Sequence, residues 1–122
     1  MARILIIDDE EIFRTMLRQI LEDAGHAVVE AADGIEGVAL FRQHPADLII
    51  TDIIMPKKDG MQVISELKRD FPDVKVIAIT GGGQKGQADF FFDASLILGA
   101  KRTLLKPVHM PELLAAIEDL LA

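Results

Sequence analysis

Short apolar runs alternate along the chain with stretches in which apolar residues return at helical spacing. Arg3 to Ile7 is brief, rich in isoleucine and ends in Asp8-Asp9-Glu10-Glu11. After it Ile12, Met16, Leu17, Ile20, Leu21 and Ala24 recur every three or four residues, which predicts a helix with one buried face. Gly25 is a natural stop for it. His26 to Ala31 reads as a second strand. Asp33 followed by Glu36 resembles a capping box, opening a short helix with Ile35, Val38, Ala39 and Phe41 that ends before Pro45. A third apolar run, Leu48 to Ile50, closes on a single carboxylate, Asp52. Pro56, Asp59 and Gly60 then signal a loop. Asp59 can cap a helix carrying Met61, Ile64 and Leu67 that ends near Phe71-Pro72. Val74 to Ile79 is a fourth strand, ending in Thr80. Gly81-Gly82-Gly83 reads as a flexible loop, and Lys85 to Leu98 as a helix stopped by Gly99. Thr103 to Leu105 is a fifth strand, followed by Lys106-Pro107. Pro111 suits the first turn of a last helix with Leu113, Leu114, Ile117, Leu120 and Leu121 on its apolar face.

Strand and helix thus alternate five times. Near-continuous apolar strands separated by amphipathic helices indicate an α/β fold, a parallel sheet covered on both faces. With 122 residues, no internal repeat, no low-complexity tract and no linker, the expectation is one domain spanning 1–122 with no separate output domain.

Composition narrows the function. The formal net charge is −7, which argues against a non-specific nucleic-acid binder and against an anionic-membrane binder. There is no cysteine, hence no disulfide and no thiolate chemistry. No stretch approaches the roughly 20 apolar residues of a membrane span, and the N-terminus has no signal-peptide pattern. A cytoplasmic protein is the expectation.

The candidate chemistry lies at the strand ends: Asp8 and Asp9, Asp52, Thr80 and Lys106. In an open α/β sheet, ligands bind there, near the point where strand order reverses. Three converging carboxylates repel one another unless a cation joins them, and a hard divalent ion with oxygen ligands, Mg²⁺ best of all, fits. A lysine and a hydroxyl beside such a cation make a site for a phosphoryl group. Asp52 would then attack phosphorus and form an aspartyl phosphate. Asp9, helped by Asp8, would hold the metal, with Asp52 and the backbone carbonyl of Ile54 as further ligands. Lys106 and Thr80 would bind phosphoryl oxygens.

Four segments, in this order and each at a strand end, resemble the receiver domains of two-component response regulators, the CheY-like group. They are Ile-Leu-Ile-Ile-Asp8-Asp9-Glu10, Asp-Leu-Ile-Ile-Thr-Asp52-Ile-Ile-Met-Pro-Lys-Lys-Asp-Gly60, Thr80, and Leu-Lys106-Pro107. The likeness runs from Ile4 to about Leu121. It implies a flavodoxin-like (βα)5 doubly wound fold with strand order 2-1-3-4-5, and a cis peptide before Pro107. It implies phosphorylation of Asp52 by a sensor histidine kinase or histidine phosphotransfer protein, with Asp8 contacting the metal indirectly or through water. A downstream protein would dock on the face of the helix over 85–98, the fifth strand and the last helix. The chain would be a monomer or a phosphorylation-dependent dimer, and a phosphoacceptor rather than an enzyme in the ordinary sense.

One departure is plain: the place usually held by an aromatic switch residue, three before the lysine, is Thr103. Three rival readings stand beside the receiver. A Mg²⁺-dependent phosphohydrolase would want a second acid two residues after Asp52, where Ile54 stands. A flavin module would want Trp or Tyr, and the chain has neither. A receiver-like module that binds partners without phosphorylation is opposed by the intact acids, Thr80 and Lys106, while Thr103 leaves it open. His26, His44 and His109 are scattered and carry no assigned role. Phe90-Phe91-Phe92 cannot all face the core of one helix, so at least one is expected at the surface or against a partner.

Overall fold

The computed structural model describes residues 2–55, 57–81 and 98–122. Five parallel strands form one sheet: β1 (Arg3–Ile7), β2 (Ala27–Ala31), β3 (Leu48–Asp52), β4 (Val76–Thr80) and β5 (Arg102–Leu105), in the order β2-β1-β3-β4-β5. This is the flavodoxin-like receiver order that the resemblance implied. The described helices are α1 (Glu11–Asp23), α2 (Gly34–Gln43), α3 (Gly60–Asp70) and α4 (Met110–Leu121). The expected helix from Lys85, the residues Gly82 and Gly83, and Phe90-Phe92 lie outside the described residues, although Leu98 is helical and Gly99 has φ +123°.

Side-chain alternation along each strand explains why the strands read as unbroken apolar runs. Leu5, Ile7, Ile49, Val76 and Ala78 face one layer, with Val38 and Phe41 of α2 and Val63, Ile64 and Leu67 of α3. Ile4, Ile6, Leu48, Ile50, Ile77 and Ile79 face the other, with Leu17 and Leu21 of α1 and Leu113 and Ile117 of α4. Both faces are therefore covered, and no polar side of the sheet remains to break the pattern. Among the described residues no helix is long and apolar enough to cross a membrane.

Local signals set the helix ends. Asp33 accepts from the Glu36 amide at 2.9 Å and caps α2. Asp59 and Gln62 form a reciprocal capping box on α3, so the cap expected at Asp59 is present with Gln62 as its partner. Gly25, at φ +94°, ends α1 in a conformation that favours glycine. Pro111 lies in the first turn of α4, where its missing N–H costs nothing. The Lys106–Pro107 peptide is cis, as expected.

Candidate functional site: an acid pocket at the strand ends

Because the strands are parallel, β1, β3, β4 and β5 all finish at one edge. There β1 has β2 on one side and β3 on the other, so the chain's path reverses between β1 and β3. That crevice is where ligands bind in such sheets. Asp8 follows β1 directly and its amide donates to the Ala31 carbonyl at 3.1 Å. Asp52 is the last residue of β3 and is 5% exposed. Asp8 is also buried.

Lys106 comes from beyond β5, with its amide on the Thr80 carbonyl at 2.6 Å. Its stem passes Gly81 so closely that a Cβ there would lie 2.3 Å from the Lys106 Cβ. The first of the three glycines therefore serves as clearance for the lysine. The Lys106 ammonium donates to Asp8 Oδ2 at 3.2 Å, Asp52 Oδ2 at 3.2 Å and Glu10 Oε1 at 2.6 Å, and sits 5.1 Å from the centroid of the Phe13 ring. Asp52 Oδ1 accepts a long hydrogen bond, 3.4 Å, from the Ile54 amide. Asp8 Oδ1 accepts from the Glu10 amide at 2.8 Å.

The electrostatics follow from this geometry. Burial, then the charge of Asp8, pushes the Asp52 carboxyl up to about 6, against the pull of Lys106. Burial likewise raises Asp8, although the Glu10 amide and Lys106 oppose it. Burial works against the charged Lys106, but its bond to Glu10 and the charges of Asp52 and Asp8 hold the ammonium above its ordinary range. Among the described residues, Lys106 alone pairs with Asp8, Glu10 and Asp52, so the cluster is left net negative. Oxygens of Asp8, Glu10 and Asp52 lie within 4.8 Å of one another. An all-oxygen, net-negative set of this kind fits a hard divalent ion such as Mg²⁺.

Asp8, Asp52 and Lys106 come together as the sequence led one to expect. Thr80 ends β4 at the same edge, and its Oγ1 is buried with no hydrogen-bond partner among the described residues. Asp9 is exposed, and among the described residues it is Asp8 and Glu10, not Asp9, that join Asp52 in the cluster. Glu10 and Phe13 carried no site assignment from sequence. In the sequence Glu10 is one of four successive acids after the first strand, and the only signal was its position at that strand end. Thr103 is buried in β5 opposite Ala78 of β4. His26 Nδ1 accepts from the Ala2 amide at the opposite edge, and none of the three histidines belongs to the cluster.

The family model for the response regulator receiver domain matches residues 4–118. The chain belongs to this family. Among its relatives, the chemotaxis protein CheY of Halobacterium salinarum is 33% identical over 119 residues, 98% of this chain and 96% of that protein. RpaA of Synechocystis, a DNA-binding dual master transcriptional regulator, is 41% identical over 123 residues, 99% of this chain but 49% of that protein. Among solved structures, the CheX–CheY–BeF3–Mg²⁺ complex from Borrelia burgdorferi matches with a TM-score of 0.86 and 29% identity, covering 98% of this chain and 89% of that chain. This protein is a receiver domain of two-component signalling, and receivers are phosphoacceptors rather than enzymes in the ordinary sense.

Proposed function

We propose that Asp52 accepts a phosphoryl group, in a Mg²⁺-dependent step, from a phosphohistidine on a sensor histidine kinase or histidine phosphotransfer protein. The observation that carries this reading is the convergence of a buried carboxylate and Lys106 at 3.2 Å, beside the buried Thr80 hydroxyl, which has no hydrogen-bond partner among the described residues. A carboxylate oxygen of Asp52 bonds to phosphorus while the phosphorus–nitrogen bond of the donor breaks. The electron pair leaves with the imidazole nitrogen. Lys106 and Thr80 hold the phosphoryl oxygens, and each has a donor suited to them. Asp52, the Ile54 carbonyl and Asp9, turned in from its exposed place beside the cluster, would hold the cation, with Asp8 acting through water. When bound, Mg²⁺ neutralises charge on the transferring group. The Borrelia burgdorferi CheY complex holds BeF3 and Mg²⁺, which supports a place for the cation in this reading.

The pocket's rim favours a protein as the donor. Ile12, at the start of α1, is 87% exposed, and Ile35 at the start of α2 and Ile54 after β3 are exposed as well. All three sit at the edge where the acids converge. Apolar side chains around a charged pocket suit a docked protein better than a free phosphate. The phosphorylated chain then switches a protein-binding surface on the side of β5 and α4, and it works in the cytoplasm. The hydrolase reading loses ground at Ile54, where an acid would be needed.

Borohydride reduction of the phosphorylated protein, followed by peptide mass spectrometry, tests the assignment of the acceptor. Homoserine should appear at position 52. Reduction at position 8 or 9 would overturn the choice of Asp52.

A further inference from the structure

Resting on the phosphoacceptor reading, we propose that Glu10 is a positioning residue: a latch that occupies one donor of Lys106 before phosphorylation and must release it for the lysine to grip the phosphoryl group. A lysine ammonium has three N–H donors. All three are taken here, by Asp8, Asp52 and Glu10, and the bond to Glu10 is the shortest at 2.6 Å. A phosphoryl oxygen on Asp52 therefore finds no donor on Lys106 until one carboxylate lets go. Asp8 and Asp52 are buried in the pocket floor, whereas the Glu10 side chain is 61% exposed. Glu10 is the partner that solvent can take over at least cost, because an exposed carboxylate regains water when it swings away.

A second observation points the same way. Glu10 is the N-cap residue of α1, yet its side chain makes no capping hydrogen bond. The carboxylate reaches instead across the pocket mouth to a residue 96 positions away. The other two acid-capped helices, α2 and α3, use their Asp side chains on their own amides. Phe13, one turn into α1 with its ring 5.1 Å from the Lys106 ammonium, remains beside the lysine when Glu10 departs. The latch also places a negative charge at the mouth through which an anionic donor must come.

The test compares wild type, Glu10→Gln and Glu10→Asp for phosphoryl uptake from acetyl phosphate at saturating Mg²⁺, read by intact mass. Mg²⁺ affinity and the solvent-exchange rate of the Lys106 ammonium, followed by NMR, are measured on the same proteins. Glu10→Gln should speed uptake at saturating Mg²⁺ about two- to five-fold, the size of an exposed ion pair, with faster ammonium exchange and a loss of Mg²⁺ affinity well under ten-fold from the one charge removed. Glu10→Asp, charged but shorter, should fall between. A merely structural role would move unfolding but neither uptake at saturating Mg²⁺ nor the ammonium. Uptake by wild type with an unchanged or slower rate in Glu10→Gln overturns the latch alone. A ten-fold or greater loss of Mg²⁺ affinity in that variant also overturns it, making Glu10 a metal ligand. No uptake by wild type overturns the phosphoacceptor reading and the latch with it.

Discussion

Asp52 is costly to ionise where it sits. Its carboxyl is raised to about 6 from an ordinary 3.8, first by burial and then by Asp8. Between those two values the folded protein binds more protons than the unfolded chain, so this residue makes stability fall as pH rises. Above about pH 6 the whole penalty is present, on the order of 2–3 kcal/mol; below 3.8 it is gone. Asp52→Asn should therefore stabilise the metal-free protein at pH 8 by up to that amount, with the gain shrinking toward pH 4. Urea unfolding at the two pH values checks this, and a gain that is absent at pH 8 or larger at pH 4 would refute it. At this scale the sequence told much: Asp8, Asp52, Thr80 and Lys106 were legible because each ends a strand. Glu10 was not, because an acid opening a helix has an ordinary explanation in the helix dipole. Its use on Lys106 depends on a separation of 96 residues that no local pattern encodes.

At the scale of elements, hydrophobic pattern and turn chemistry located all five strands and the four described helices. Boundaries moved by a residue or two: the fourth strand starts at Val76 rather than Val74, and the fifth at Arg102 rather than Thr103. The first of these shifts arises because residues leading into the strand are apolar before the ladder begins, as Val74 is, buried in the layer with α3. Two elements carry sharp expectations. Leu67, fully buried on α3 against the sheet, should cost about 2–5 kcal/mol as Leu67→Ala, because the surrounding strands cannot collapse into the space. Asp59→Ala removes one half of the capping box and should cost about 1 kcal/mol. Urea midpoints rank the two; a cap variant as damaging as the core variant would contradict this packing. Thr103 belongs here too. A buried threonine of β5 stands where the likeness to receivers would place an aromatic, so a signal passing through Thr80 would have to leave by another side chain.

At the scale of the whole molecule, the doubly covered sheet fixes the acid pocket by topology. Strand order reverses between β1 and β3, and that puts Asp8 and Asp52 side by side. Local pattern could not supply this order, since five similar strands pair in many ways; it came through the likeness to receivers, and the sheet bears it out. Phosphorylation adds about −1.5 to −2 charges to a pocket that already has more carboxylate than one lysine balances. On the proposed function, such a change would bias a two-state equilibrium that Thr80 and Lys106 report. The most direct check is intact mass after incubation with acetyl phosphate, for wild type and Asp52→Asn, with and without Mg²⁺. One phosphoryl group should be gained by wild type in Mg²⁺ alone. No gain by wild type under conditions in which Mg²⁺ demonstrably binds, or an equal gain by Asp52→Asn, would contradict the role given to Asp52.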